Sequence, residues 1–196
     1  MRKIFILIIL GMFYLLSITL AQTYTTSRLS SDVFFGRPIY PDKYVLGVGD
    51  KLRVYILKET GEPEIYELFV SPTGSINLLV AGSIKVAGLT LAEATKEVSR
   101  KILAYYPRSK VELELIFPRY MKISVTGEVL NPGSYLVSAL STLDDVIKVA
   151  GGLKSSASTR NIQIKRGNNI ISIDYLKYVK FGDEKENPDI KEGDII

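Results

Sequence analysis

The chain has 196 residues, of which 46% are hydrophobic and 23% charged, the balance of a globular protein with enough chain for one or two small cores. It contains no cysteine and no histidine, which excludes disulfides, thiol nucleophiles, His-based triads, His/Cys zinc sites and a lipidated N-terminal cysteine. The formal net charge is +4; without Arg2 and Lys3, 23 basic and 21 acidic residues leave +2 and no basic stripe, so nucleic acid is not an expected partner.

Residues 1–21 read as a secretory signal peptide. Arg2-Lys3 is the positive start, IFILIILGMFYLLSITL the apolar core, and Ala21 the small residue at a cleavage position before Gln22. The alternative is an uncleaved anchor, since the run from Ile4 to Leu20 approaches the roughly 18–20 residues that span a bilayer. Either way the remainder is expected to be exported. Residues 22–43 are polar with scattered aromatics and no periodicity. They read as an extended arm packing on a neighbour, or as a partly disordered leader.

From Tyr44 to Pro118 the pattern predicts a small α+β domain. Gly47-Val48-Gly49-Asp50 is a turn into a strand at Leu52–Leu57. No helix follows these glycines and no Gly-Lys-Ser/Thr ends them, so they do not read as a phosphate loop, and Asp50 is expected to bond local backbone amides. Ile65–Val70 is a second strand, with a hairpin turn at Pro72-Thr73-Gly74, and Ser75–Val80 and Ser83–Val86 are short strands. Thr90-Leu91-Ala92-Glu93 is a capping box. The helix behind it runs to about Tyr105, burying Leu91, Ala94, Val98, Ile102 and Tyr105. Lys110–Phe117 is a strand with Val111, Leu113, Leu115 and Phe117 facing in. Glu112 and Glu114 share its outer face, where a solvated strand explains them better than a catalytic pair.

The segment 119–196 predicts a second domain. Met121, Ile123 and Val125 alternate with polar neighbours as a half-buried strand. Asn131-Pro132-Gly133 reads as a type II turn, with Gly133 at positive φ. Ser141 or Thr142 caps a helix, with Asp144 or Asp145 completing the cap, and Leu143, Val146, Ile147 and Ala150 form its apolar face. Gly151-Gly152 stops the helix, with Leu153 packing back. Ile162/Ile164 and Ile170–Ile173 form a hairpin around Arg166–Asn169, and Asp174–Val179 a short helix. Gly193-Asp194-Ile195-Ile196 repeats the start of the first domain, Gly49-Asp50-Lys51-Leu52, and reads as a strand opening into further chain.

VTGEVLNPGSY, a short helix and AGGL resemble the SLBB (soluble-ligand-binding β-grasp) module of outer-membrane polysaccharide export proteins of the Wza-like family. Upstream, YVLGVGDKLRVYI, VSPTGSINL and VAGLTLAEA are similar to the polysaccharide-export domain that precedes SLBB modules in that family. The resemblance covers most of the chain after Tyr44. It implies an α+β fold of two small domains: an N-terminal polysaccharide-export domain over 44–118 and a C-terminal β-grasp, SLBB-like domain over 119–196. The matching positions are Gly47, Gly49, Asp50, Gly74, Gly88, Thr90, Gly127, Pro132, Gly133, Gly151, Gly152, Gly193 and Asp194, all read as fold-setting.

By that resemblance the protein is an exported component of a capsular or exopolysaccharide conduit in the periplasm, associated with the outer membrane. It would form a homo-oligomeric ring and guide polysaccharide without covalent chemistry or cofactor. Its expected partners are the polysaccharide, an inner-membrane synthesis and co-polymerase complex, and a separate outer-membrane barrel. Three differences from the best-known members are visible: no lipid-carrying cysteine, no C-terminal amphipathic helix, and one SLBB module. The competing reading is a monomeric periplasmic module that holds a glycan or a protein, with Arg119, Tyr120 and Tyr135 as sugar contacts. A glycan-processing enzyme using Glu112 or Asp145 is a third class, without a catalytic constellation to support it.

Overall fold

The computed structural model describes residues 38–59 and 61–196. The expected signal at 1–21 and residues 22–37 of the expected arm lie outside the described residues. In chain order, the first half contains β1 (Lys51–Leu57), β2 (Pro63–Phe69), β3 (Ser75–Leu78), β4 (Gly82–Lys85), helix α1 (Leu91–Leu103) and β5 (Lys110–Phe117). The second half contains β6 (Tyr120–Val125), β7 (Gly133–Ser138), α2 (Leu143–Val149), β8 (Ile162–Arg166), β9 (Asn169–Ile173), α3 (Tyr175–Phe181) and a 3-10 turn at Glu184–Glu186. The architecture is mixed α+β.

β1 is the centre of an antiparallel sheet ordered β2-β1-β5. Strand alternation sends Leu52, Val54 and Ile56 into the core, each fully buried, and turns Lys51, Arg53, Tyr55 and Leu57 to the other face. The β3/β4 hairpin and α1 complete this first core. The Thr90 capping box forms as the sequence predicts: the Glu93 amide donates to the Thr90 hydroxyl and the Thr90 amide donates to the Glu93 carboxylate. Leu91, Ala94, Val98 and Ile102 are buried on one stripe of the helix. Burying a side chain of leucine or isoleucine size stabilises by about 1.5–3 kcal/mol, so this stripe fixes α1 on the sheet.

Four expectations for this half are corrected. Tyr105 is exposed, because α1 ends at Leu103 before the periodicity reaches it. Phe117 also faces out. The β1–β5 register jumps between Lys51↔Phe117 and Leu52↔Leu115, leaving Ile116 as an extra residue that reverses the side-chain alternation. The Pro72-Thr73-Gly74 turn joins β2 to β3, but these strands do not pair: β2 pairs with β1 and β3 with β4. Residues 38–43, assigned to the extended arm, belong to the fold. Ile39 packs on the first core, Lys43 turns back to bond the Tyr40 carbonyl, and Pro41 accepts the Ala92 amide.

The second core gathers Ile123, Val125, Val137, Leu143, Val146, Ile147, Ile164 and Ile173 from β6, β7, α2, β8 and β9. At the N-terminus of α2, Asp145 accepts the amide and the hydroxyl of Thr142. At its C-terminus, Gly152 donates to Ile147 and Gly151 to Lys148, the paired bonds of a Schellman motif, and Leu153 packs back on the core. Gly133, however, is not in the left-handed region. It is the first residue of β7, opposite Val125, and the connection spans residues 126–132. This longer loop lies against the end of α2, with Leu130 and Asn131 donating to Gly152 and Ala150. Gly151 has φ +85°, the left-handed region that favours glycine, and a β-carbon there would also press on the side-chain amide of Asn131.

The terminal residues complete the sheet. Ile195 bridges in parallel to Ser124 of β6 and antiparallel to Lys165 of β8. The segment expected to open a strand lies in the seam between the two hairpins. Pro38–Ile196 forms one compact unit with two cores, and Ala139 and Leu140 of the second half pack against the first core.

Candidate functional site

Asp50 is fully buried and accepts from four donors: the Tyr44 hydroxyl at 2.7 Å, the Gly47 amide at 2.8 Å, the Arg119 amide at 2.7 Å and the Arg119 guanidinium at 3.2 Å. The sequence reading found the local amide bond. It missed the two partners that tie the first turn to the start of the second half. Arg119 also donates to the Val45 carbonyl, and a β-carbon on Gly47 would lie 2.5 Å from the guanidinium carbon. A side chain at Gly47 would have to displace the guanidinium that lies on its backbone. Burial, then the Asp50 carboxylate, push the Tyr44 hydroxyl well above its ordinary range, so it remains a donor.

Asp194 repeats this device. It is buried, accepts the Lys191 amide three residues back at 2.8 Å, and receives Arg166 through two nitrogens at 2.9 and 2.7 Å. In both places glycine precedes the aspartate at positive φ, at Gly49 and Gly193. The repeated Gly-Asp is thus a buried carboxylate that fixes a turn and captures a distant arginine. Asp144, the other acid offered for the α2 cap, is not the capping residue: it receives the Tyr175 hydroxyl at 2.6 Å and pairs with Lys148 at 2.6 Å.

The other motif positions lie in turns and at element ends. Gly74, Gly88 and Gly127 have positive φ, Thr90 caps α1, and Pro132 precedes β7. The three expected sugar contacts do not converge on one surface. Arg119 is engaged at the junction. Tyr120 is half exposed at the outer end of β6. Tyr135 sits opposite Ile123, on the core-facing side, and donates to the Asn131 carbonyl.

A different surface stands out. The outer face of the β2-β1-β5 sheet is a grid set by register, with β1 in the middle of each row. The rows are Phe69–Lys51–Phe117, Glu67–Arg53–Glu114, Ile65–Tyr55–Glu112 and Pro63–Leu57–Lys110. Lys51 lies 5.8 and 5.9 Å from the two phenylalanine centroids. Arg53 pairs with Glu67 at 2.6 Å and Glu114 at 3.7 Å. Hydrogen bonds from Lys51 and Arg53 hold the Glu67 carboxyl below the usual range. Ile65, Phe69 and Phe117 are each more than half exposed. At the far end, Tyr55, Leu57, Pro63, Lys110, Glu112 and Glu114 line an open groove of about 260 Å³. Alternation marked Glu112 and Glu114 of β5 on this face in the sequence; the bulge that adds Phe117 to it left no signal there. Among the described residues no cluster of three or more acidic side chains is arranged to hold a metal.

Residues 40–115 match the family described as Polysaccharide biosynthesis/export protein, and residues 122–174 match the SLBB domain. The chain belongs to the polysaccharide biosynthesis/export protein family. The two matches follow the two cores in order. Relatives include the EPS I polysaccharide export outer membrane protein EpsA of Ralstonia nicotianae, 29% identical over 138 residues, covering 69% of this chain and 36% of the relative. The exopolysaccharide production protein ExoF of Rhizobium meliloti is 29% identical over 122 residues, covering 58% and 29%. The polysialic acid transport protein KpsD of Escherichia coli is 32% identical over 148 residues, covering 72% and 26%. The chain thus aligns with only 26–36% of the length of these family members. Among the described residues no helix is long and apolar enough to cross a membrane.

Proposed function

We propose that this protein is an exported component of a capsular or exopolysaccharide export apparatus, working in the periplasm against the outer membrane. The observation that carries the reading is the ordered pair of family matches, an export domain followed by an SLBB domain, in a chain whose first 21 residues read as a secretory signal. Copies of the chain associate by rotation into a closed ring, each half contributing one tier. The ring receives polysaccharide from an inner-membrane synthesis complex and passes it to a separate outer-membrane barrel. Its role is guidance by non-covalent contact. The motif acids Asp50 and Asp194 and the capping acid Asp145 fit that role, each being spent on a buried ion pair or a cap.

A second reading, a monomeric glycan- or protein-binding module, has one specific support. Both cores close within a single chain, so no second copy is needed to complete the fold.

Disrupting the gene in its native host is the direct test of export. Polysaccharide at the cell surface is expected to disappear while polymer accumulates inside the envelope, both measured by quantitative sugar analysis of cell fractions. Unchanged surface polysaccharide would remove the proposal.

A further inference from the structure

The groove at the end of the outer sheet face carries unsatisfied chemistry. Its floor is the central strand's Tyr55 and Leu57, and Pro63 closes one side. Glu112 stands directly across from Tyr55, and Lys110 across from Leu57. Among the described residues neither Glu112 nor Lys110 has an ion-pair partner, although most charges on this face are paired. The Tyr55 hydroxyl accepts from Arg53 at 3.2 Å, which leaves its own proton to donate.

We propose that this groove binds one sugar ring of an uncharged polysaccharide segment. The inference rests on the reading of the chain as a polysaccharide-handling protein. A pyranose has a face of C–H groups and a rim of hydroxyls. Tyr55, Leu57 and Pro63 offer the apolar platform for the first. Glu112 accepts hydroxyl protons, Lys110 donates to hydroxyl oxygens, and the Tyr55 hydroxyl donates as well. The size suits a single ring: the groove falls below the roughly 300–1,000 Å³ of pockets that enclose drug-sized ligands, and it opens onto the rest of the sheet face along which a chain can continue. The charge selects the class. Glu114 is already paired with Arg53 at 3.7 Å, and the Glu112 carboxylate balances the Lys110 ammonium, so the groove offers no excess positive charge to a uronate or other acidic sugar.

Equilibrium dialysis of the full-length chain against end-labelled gluco-, manno- and galactohexaose and against hexagalacturonate tests this. At least one neutral hexaose is expected to bind about tenfold more tightly than the uronate. Tyr55→Ala and Glu112→Gln are each expected to weaken it roughly tenfold. Glu112 is exposed, so the glutamine variant keeps the fold, checked by an unchanged melting temperature, and it is also expected to narrow the discrimination against hexagalacturonate. Failure of every neutral hexaose to bind, tighter binding of the uronate, or wild-type binding by the Glu112→Gln variant would each overturn the groove. Those outcomes leave the export reading to the surface-polysaccharide measurement, which fails or succeeds independently.

Discussion

Replacing Asp50 by alanine is expected to destabilise the protein by about 3–5 kcal/mol, the scale for breaking a buried ion pair by removing one partner. The carboxylate is fully buried and accepts from Tyr44, Gly47 and twice from Arg119. Its loss leaves a buried hydroxyl donor, two amides and a guanidinium with only 21% of its side-chain surface exposed. The damage also has a place. Asp50 immediately precedes β1 and Arg119 opens the second half, so the variant is expected to uncouple the two cores. Urea unfolding followed by tyrosine fluorescence and circular dichroism checks both parts, since the chain has no tryptophan to dominate the signal. A single transition displaced by less than about 1 kcal/mol would show that the pair contributes no more than a surface ion pair.

Removing Asp194–Ile196 has the second large effect. These residues make five backbone hydrogen bonds in the seam: Ser124 and Thr126 donate to Asp194 and Ile196, Ile196 donates to Ser124, and Lys165 and Ile195 bond each other in both directions. At about 1 kcal/mol net apiece these alone amount to roughly 5 kcal/mol, and Arg166 loses its carboxylate as well. That approaches the whole stability of a small domain. Limited proteolysis is expected to cut the shortened chain rapidly between residues 120 and 193 while sparing 44–117. Equal protection of both regions would mean that β6 and β8 hold together without the segment between them.

Local chemistry was legible in the sequence and long-range pairing was not. The Thr90 box, the α2 stripe of Leu143, Val146, Ile147 and Ala150, and the Gly151-Gly152 stop all depend on residues within seven positions of one another. Gly133 was misplaced because Asn-Pro-Gly favours a tight turn locally, whereas Leu130 and Asn131 bond the end of α2 and draw out a longer loop. Phe117 was misplaced because a bulge is a property of a strand pair, and Ile116 carries no local mark of one. The Gly-Asp repeat was visible, but its meaning lies in Arg119 and Arg166, 69 and 28 residues from their aspartates. The outer sheet face suffered from the same limit. Its alternation was read on β5 alone, while its rows exist only once β2, β1 and β5 are in register.

The central claim is that copies of this chain close into a ring through which polysaccharide is guided. The most direct test is the native mass of the protein purified from its own cell envelope, measured across a concentration series. A discrete species at one fixed multiple of the chain mass, unchanged on dilution, is the predicted result. A monomer at every concentration would contradict the ring and leave a glycan- or protein-binding module in its place.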